Sequence, residues 1–211
     1  MIITADNLLA WNACDEGRQW FIDHFAAGIG DYQIILDALA ADDQPAYAHW
    51  LMDHAGRDEA ARPVVDGGIT GKHLFFAGSI VARGKITTSG ELRAGGSVEA
   101  GGSVKAGGSV KSGGSVKAGG SVKAGGWVEA GESVKAGWWV EAGVSVKAGG
   151  SVKAGGSVKS GGSVEAGDGY GIYAGLDIPI KDWPISACVI SARQLENLIS
   201  GHWVGEKKEA A

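Results

Sequence analysis

Ser103-Val-Lys-Ala-Gly-Gly108 is followed by Ser109-Val-Lys-Ser-Gly-Gly114, Ser115-Val-Lys-Ala-Gly-Gly120 and Ser121-Val-Lys-Ala-Gly-Gly126, four hexads that differ at a single place. Outward from this stretch an aliphatic residue recurs at every sixth position without a miss, from Leu74, Ile80, Ile86, Leu92 and Val98 to Val164. Sixteen positions in register define a solenoid, and the unit grows looser before residue 93. Collagen is excluded because Gly does not fall at every third place. The calcium-binding nonapeptide helix is excluded because its acidic ligands are missing. Within a short strand, Val104 and Ala106 alternate with Ser103 and Lys105, so Val and Ala point inward, Lys points outward, and the Gly pair makes the corner. The fold class expected is mainly β: a hexapeptide-repeat β-helix.

Charge decides how many hexads close one coil. The outward residue after each Val runs Glu99, Lys105, Lys111, Lys117, Lys123, Glu129, Lys135, Glu141, Lys147, Lys153, Lys159, Glu165. Stacking at a spacing of twelve leaves an unbroken lysine ladder from Lys111 to Lys159. Stacking at eighteen gives six opposite-charge neighbours against three like-charge ones, and the column Lys111, Glu129, Lys147, Glu165 alternates. Each such pair is worth about 0.2–1 kcal/mol, which favours a triangular coil of about 18 residues. Sixteen hexads then predict about five coils, and a spacing of about 4.8 Å per coil gives a prism about 26 Å long.

The repeat breaks its own rule in one zone. Trp127 and Trp139 replace the outward Ser, and Glu132, Trp138 and Val144 replace the second corner Gly. With three hexads per coil, Trp127 lies between Ser109 and Ser145, Trp138 between Gly120 and Gly156, and Trp139 between Ser121 and Ser157. Exposed aromatics on a rigid sheet have the character of a binding hot spot, so Trp127, Glu132, Trp138 and Trp139 are candidate binding residues. Shielding of backbone, or reception of the N-terminal segment, explains them equally well.

Residues 1–62 read as an acidic helical domain, 63–92 as irregular first coils, 93–192 as the solenoid, and 193–211 as a C-terminal helix and tail. The first segment holds 11 acids against Arg18, Arg57 and Arg62, a net charge of −8, whereas residues 93–165 carry +4. Thr4 is placed to cap a helix with Leu8, Leu9 and Trp11, and Asp15 one with Trp20, Phe21 and Phe25. Asp31 is placed before Ile34, Ile35, Leu36 and Leu39, and Asp43 with Pro45 before Tyr47, Trp50 and Leu51. Asp15, Glu16, Asp23, Asp31, Asp37, Asp42 and Asp43 are candidate contacts for a basic partner. His49 and Asp53, four apart on one helix face, offer two metal ligands without a third, so no metal is expected. After Val164 the register slips by two residues at Asp168-Gly-Tyr-Gly171, Ile190-Ser-Ala192 echoes the unit, and Arg193 to Ser200 reads as a short helix over the last coil.

The 211 residues are 45% hydrophobic and 20% charged, with 37 Gly. That suits one or two domains with a real core. Cys14 and Cys188 give neither a disulfide scaffold nor a CxxC pair. No apolar run approaches the ~20 residues of a membrane span. The start, Met1-Ile-Ile-Thr-Ala-Asp6, has an acid where a secretion signal needs a base, so a cytoplasmic protein is expected. Nucleophile elbow, phosphate loop and metal-ligand cluster are all missing, so neither catalysis nor a cofactor is expected.

The motif Ala13-Cys14-x-x-Gly17-x-x-Trp20-Phe21, the Ala-Gly-x-x-Val-[Lys/Glu] hexads and Gly169-Tyr-Gly-Ile-Tyr-Ala-Gly175 together resemble a group of phage and prophage hexad-repeat β-helix proteins with a small helical N-terminal module. Hexads of that group more often read Ala-Gly-Trp-Gly-Ile-[Lys/Glu]. This chain departs by using Ser-Val for Gly-Ile and by its few Trp. The resemblance implies a mobile-element origin, and with it an inhibitor of host defences such as CRISPR-Cas or restriction; it brings no catalytic residues.

The leading expectation is therefore a non-enzymatic binding protein that occludes a host defence protein or ribonucleoprotein complex in the host cytoplasm. One alternative is direct nucleic-acid binding by the Lys faces, although a spacing of about 4.8 Å is out of step with duplex phosphates at about 3.4 Å. Another is a structural or self-assembling role, including a twofold homodimer through flat faces that carry Trp.

Overall fold

The structure, a computed structural model, describes residues 1–193 and 195–205. Every hexad between Ile80 and Ala154 becomes a three-residue strand with its first and third side chains buried. Val104, Val110, Val116 and Val122 are fully enclosed, and burial of each contributes about 1.5–3 kcal/mol before entropy.

Pairing is parallel with an offset of 18: Val104 on Val122, Val110 on Val128, Val116 on Val134. Three sheets result, taken by the chain in rotation. The first face has six strands, from Leu74–Phe76 to Val164–Glu165. The second has eight, from Val64–Val65 to Leu198–Ser200. The third has eight, from Ile69–Gly71 to His202–Gly205. The triangular prism of 18 residues per coil expected from charge is what forms, and Lys111, Glu129, Lys147 and Glu165 stack as a column.

Five coils is an undercount. Eight strands on a face, at about 4.8 Å apart, make a rod about 34 Å long. Strands Val64–Val65 and Ile69–Gly71 extend it before Leu74, and the chain continues it after Val164. Val152 pairs with Ile172, the two-residue slip read from the sequence. Val158 then pairs with Val189 across an excursion that holds a 3-10 turn, Ile180–Asp182, and a short helix, Trp183–Ser186. Among the described residues of Arg193 to Ser200 the expected helix does not form. Leu198–Ser200 and His202–Gly205 are strands that pair with Ile172–Tyr173 and Cys188–Ser191, because open sheet edges there accept backbone partners. The tail expected within 193–211 falls, at 206–211, outside the described residues.

The N-terminal head contains α1 (Ala5–Ala10), α2 (Asp15–His24), α3 (Tyr32–Ala41) and α4 (Pro45–Ala55). Thr4 and Asp31 cap α1 and α3 as expected. The cap of α2 is Cys14, whose Sγ accepts from the Gly17 N–H at 3.4 Å, and that of α4 is Gln44, with Asp43 left-handed at φ 58°. Asp15 sits instead in the first turn of α2, where its charge favours the helix dipole. An antiparallel ribbon of Ile2–Thr4 and Ile29–Asp31 ties the head's start to its middle.

Head and rod share a core, in which Tyr32, Ile35, Leu36 and Leu39 pack with Phe75 and Ala77. Leu74–Phe76 is the terminal strand of the first face, and Gln33 takes the place of its missing neighbour. The Gln33 Nε2 donates to the Phe75 carbonyl at 2.7 Å, and its Oε1 accepts from the Ala77 N–H at 2.9 Å. Two ion pairs complete the junction, Asp53 with Arg93 and Lys72 with Asp43 at 2.6 Å, and the His49 ring lies 2.7 Å from the Glu91 carboxylate. Among the described residues no helix is long and apolar enough to cross a membrane.

Candidate functional site

The two corner glycines of a hexad differ. A Cβ on Gly119, Gly125 or Gly131 would lie 2.0–2.2 Å from a carbonyl oxygen one coil earlier, so the first corner position accepts only Gly. At the second position a Cβ meets the Oγ of the Ser seventeen residues earlier, at 2.3 Å for Gly120 and 2.4 Å for Gly126. A side chain fits there once that hydroxyl gives way. Glu132 shows the accommodation, because the Ser115 Oγ turns to donate to its carboxylate at 2.8 Å.

Those hydroxyls otherwise form ladders. Ser97, Ser103 and Ser109 each accept from the backbone N–H eighteen residues on, at 3.1 Å. The ladder stops at Trp138 and Trp139: the Ser121 Oγ is buried without a partner. A buried unpaired hydroxyl costs about 1–3 kcal/mol, and such local violations gather at functional sites.

The departures from the repeat do not form one zone. Trp127 and Val144 stand on the edge between the third and first faces, Glu132 on the edge between first and second, and Trp138 with Trp139 on the edge between second and third. One turn of the chain passes all three edges, which is why closeness in sequence misleads here. Trp138 and Trp139 remain together, with ring centroids 5.7 Å apart and planes tilted by 37°. They are 61% and 44% exposed.

The excursion before Cys188 completes this edge. Trp138 and Trp139 border an open groove of about 860 Å³ with Lys123, Glu141, Asp177 and Ile178. The Ser157 Oγ donates to the Ser186 carbonyl at 3.2 Å and accepts from the Cys188 N–H at 3.1 Å, fastening the short helix to the rod. Along the same excursion Ile180 and Ile185 are 74% and 85% exposed. Sequence reasoning missed both, since Ile178-Pro-Ile-Lys-Asp-Trp-Pro-Ile185 has no period; the signal was an apolar run punctuated by two prolines. Lys123 and Glu141, paired at 2.8 Å, supply the polar border.

The acidic candidates are mostly engaged within the head. Asp15 pairs with Arg18, Asp23 accepts from Gln19, and Asp37 from Gln33. Asp31 caps α3, and Asp42 binds the Trp20 indole N–H and His24. Asp43 faces the rod, where the hydrogen bond from Lys72 holds its carboxyl below the usual range. Glu16 stands exposed in the first turn of α2. His49 contacts Glu91, and Asp53 contacts Arg93. Among the described residues no group of three His, Cys, Asp or Glu is arranged to hold a metal.

No curated protein and no solved structure matches the chain. Residues 1–57 match the family model described as the YdhT N-terminal domain, a stretch that holds the four helices of the head and ends ahead of the first solenoid strand.

Proposed function

We propose that this protein is a non-catalytic binding protein that seats a partner protein on the edge carrying Trp138 and Trp139. The observation that carries the reading is that pair. Two indoles stand where the repeat has Gly and Ser, they interrupt its hydroxyl ladder, and aliphatic side chains of the adjoining excursion stand exposed with them. Rigid aromatics on a preformed sheet lose little freedom on binding and dominate interface energies. The resemblance to phage and prophage proteins gives the partner class: a host defence protein or ribonucleoprotein complex, of the CRISPR-Cas or restriction kind, blocked by occlusion in the host cytoplasm. Glu16, Asp15 and Asp23, exposed on α2, add an acidic contact at the head.

The double substitution Trp138→Gly with Trp139→Ser restores the consensus hexad and so leaves the rod intact. Capture from host lysate is expected to lose its partner with this variant, and phage protection in a plaque assay to go with it. Equal recovery of the same partner by variant and parent overturns the reading.

A second reading has its own observation. On the second face Lys117, Lys135 and Lys153 stack directly on one another, and Lys153 lies 5.2 Å over the Tyr173 ring. Such a column with an adjacent aromatic suits a nucleic-acid strand. Filter binding that falls steeply with salt is its expected signature, and salt-independent or undetectable retention removes it.

A further inference from the structure

The motif Ala13-Cys14-x-x-Gly17-x-x-Trp20-Phe21 has no part in the rod or in its exposed edge. All five of its named residues line a single cleft in the head, of about 330 Å³, between α2 and α4. Its walls are apolar and carry no Asp, Glu, Lys, Arg or His.

An apolar cleft that opens into a small core costs stability unless something fills it, and this one is braced against collapse. The Trp20 Nε1 donates to Asp42 at 2.8 Å, and its ring stacks on His24 at 4.2 Å. Opposite, Trp50 stacks on His54 at 4.2 Å and meets the edge of Trp11 at 6.5 Å. Both indoles are thus backed from outside the cleft. Gly17 keeps it open: a Cβ there would stand 3.3 Å from the Cys14 Sγ and 4.0 Å from the Tyr47 ring.

We infer that the head is a binding site for a small, uncharged, planar aromatic molecule of two fused rings that carries one hydrogen-bonding substituent. A cavity of about 150 Å³ holds one benzene, so the volume here suits two rings. The aromatic walls favour stacked or edge contacts, and a charged group would be desolvated without a counter-charge. The Tyr47 hydroxyl, the Cys14 thiol and the Asn12 amide are polar groups of the lining residues, beside the indole N–H groups of Trp20 and Trp50. Burial raises the Tyr47 pKa, so its hydroxyl stays protonated and able to donate. The inference does not depend on the Trp138 and Trp139 edge.

The test is calorimetric titration of the full chain with 2-naphthol. One equivalent is expected to bind with a dissociation constant of about 10–100 µM. Gly17→Leu puts a side chain into the cleft while improving helix propensity, and is expected to weaken binding at least about tenfold with an unchanged circular dichroism spectrum. The Trp138→Gly, Trp139→Ser variant is expected to bind as the parent does, which separates the cleft from stacking on exposed indoles. Should Gly17→Leu not fold, Ala46→Leu on the exposed rim takes its place. No saturation below about 1 mM, parent-like binding by the filled variant, or loss of binding with the Trp edge overturns the inference.

Discussion

Gly125 and Gly126 read alike in the repeat but have unlike neighbours. A methyl on Gly125 would lie 2.0 Å from the Gly107 carbonyl oxygen, a backbone atom that can give way only if the corner of the preceding coil moves with it. On Gly126 it would meet the Ser109 hydroxyl at 2.4 Å, which can rotate away at the expense of its bond to the Trp127 N–H. Gly125→Ala is therefore expected to lose about 3 kcal/mol in urea unfolding, and Gly126→Ala about 1 kcal/mol. Equal losses contradict the distinction. The same reasoning applies at Trp138 and Trp139. Restoring Gly and Ser there gives the Ser121 hydroxyl its expected rung back, so the binding-deficient variant is expected to be more stable by about 1 kcal/mol, a trade of stability for function. The two tryptophans were legible in the sequence because they interrupt a strict pattern. The orphaned hydroxyl was not, since its lost partner lies eighteen residues away and only the coil brings them together.

Elements hold because their exposed ends find partners, and the junction of α3 with the first face is the clearest case. Gln33 satisfies both the Phe75 carbonyl and the Ala77 N–H. Gln33→Leu keeps the volume and leaves both groups unpaired, so a loss of about 2–3 kcal/mol is expected in denaturant; a change below about 0.5 kcal/mol shows that the head docks by apolar packing alone. Next to it, His49 from α4 meets Glu91, with Arg93 and Asp53 adjacent. Burial, joined by the Arg93 charge, lowers the His49 pKa against the opposing pull of Glu91 and Asp53. The unfolded chain thus binds the proton more readily than the folded one. Stability attached to His49 is present above the unfolded value of about 6.5 and is lost as pH falls through the lower folded value. Thermal melts between about pH 7.5 and pH 5 are expected to decline, and His49→Gln to flatten that decline; an identical slope in the variant assigns it to other groups. The head's helices were readable from their apolar spacing and, at Thr4 and Asp31, from their caps, but the ribbon of Ile2–Thr4 with Ile29–Asp31 was not, because three-residue strands carry no period. At the other end Leu195, Leu198 and Ile199 have spacings of three and four that suit a helix. Parallel pairing with the last coils overrode that local preference.

The molecule as a whole is a rod whose length and azimuth are counted in hexads. Its triangular section was legible because charges eighteen apart alternate in Lys111, Glu129, Lys147 and Glu165. Its length was not, because the last coils are built from Ile172, Val189 and Leu198, which no fixed spacing links to Val164. Cys14 in the head and Cys188 near the far end are the only two cysteines, so spin labels on them measure the rod directly. Duplicating residues 103–120 adds one coil, and the label separation is expected to grow by about 4.8 Å with melting still cooperative. Duplicating residues 103–114 also keeps the hexad register, but adds about two thirds of that rise and turns the Trp138 edge through two faces relative to the head. An unchanged separation in both means that added hexads loop out instead of winding on. With the added coils in place, the two duplications report on the partner. One gripped by the Trp edge alone is captured by both, whereas one that also touches the acids of α2 is captured only where the added coil leaves the angle between head and edge unchanged.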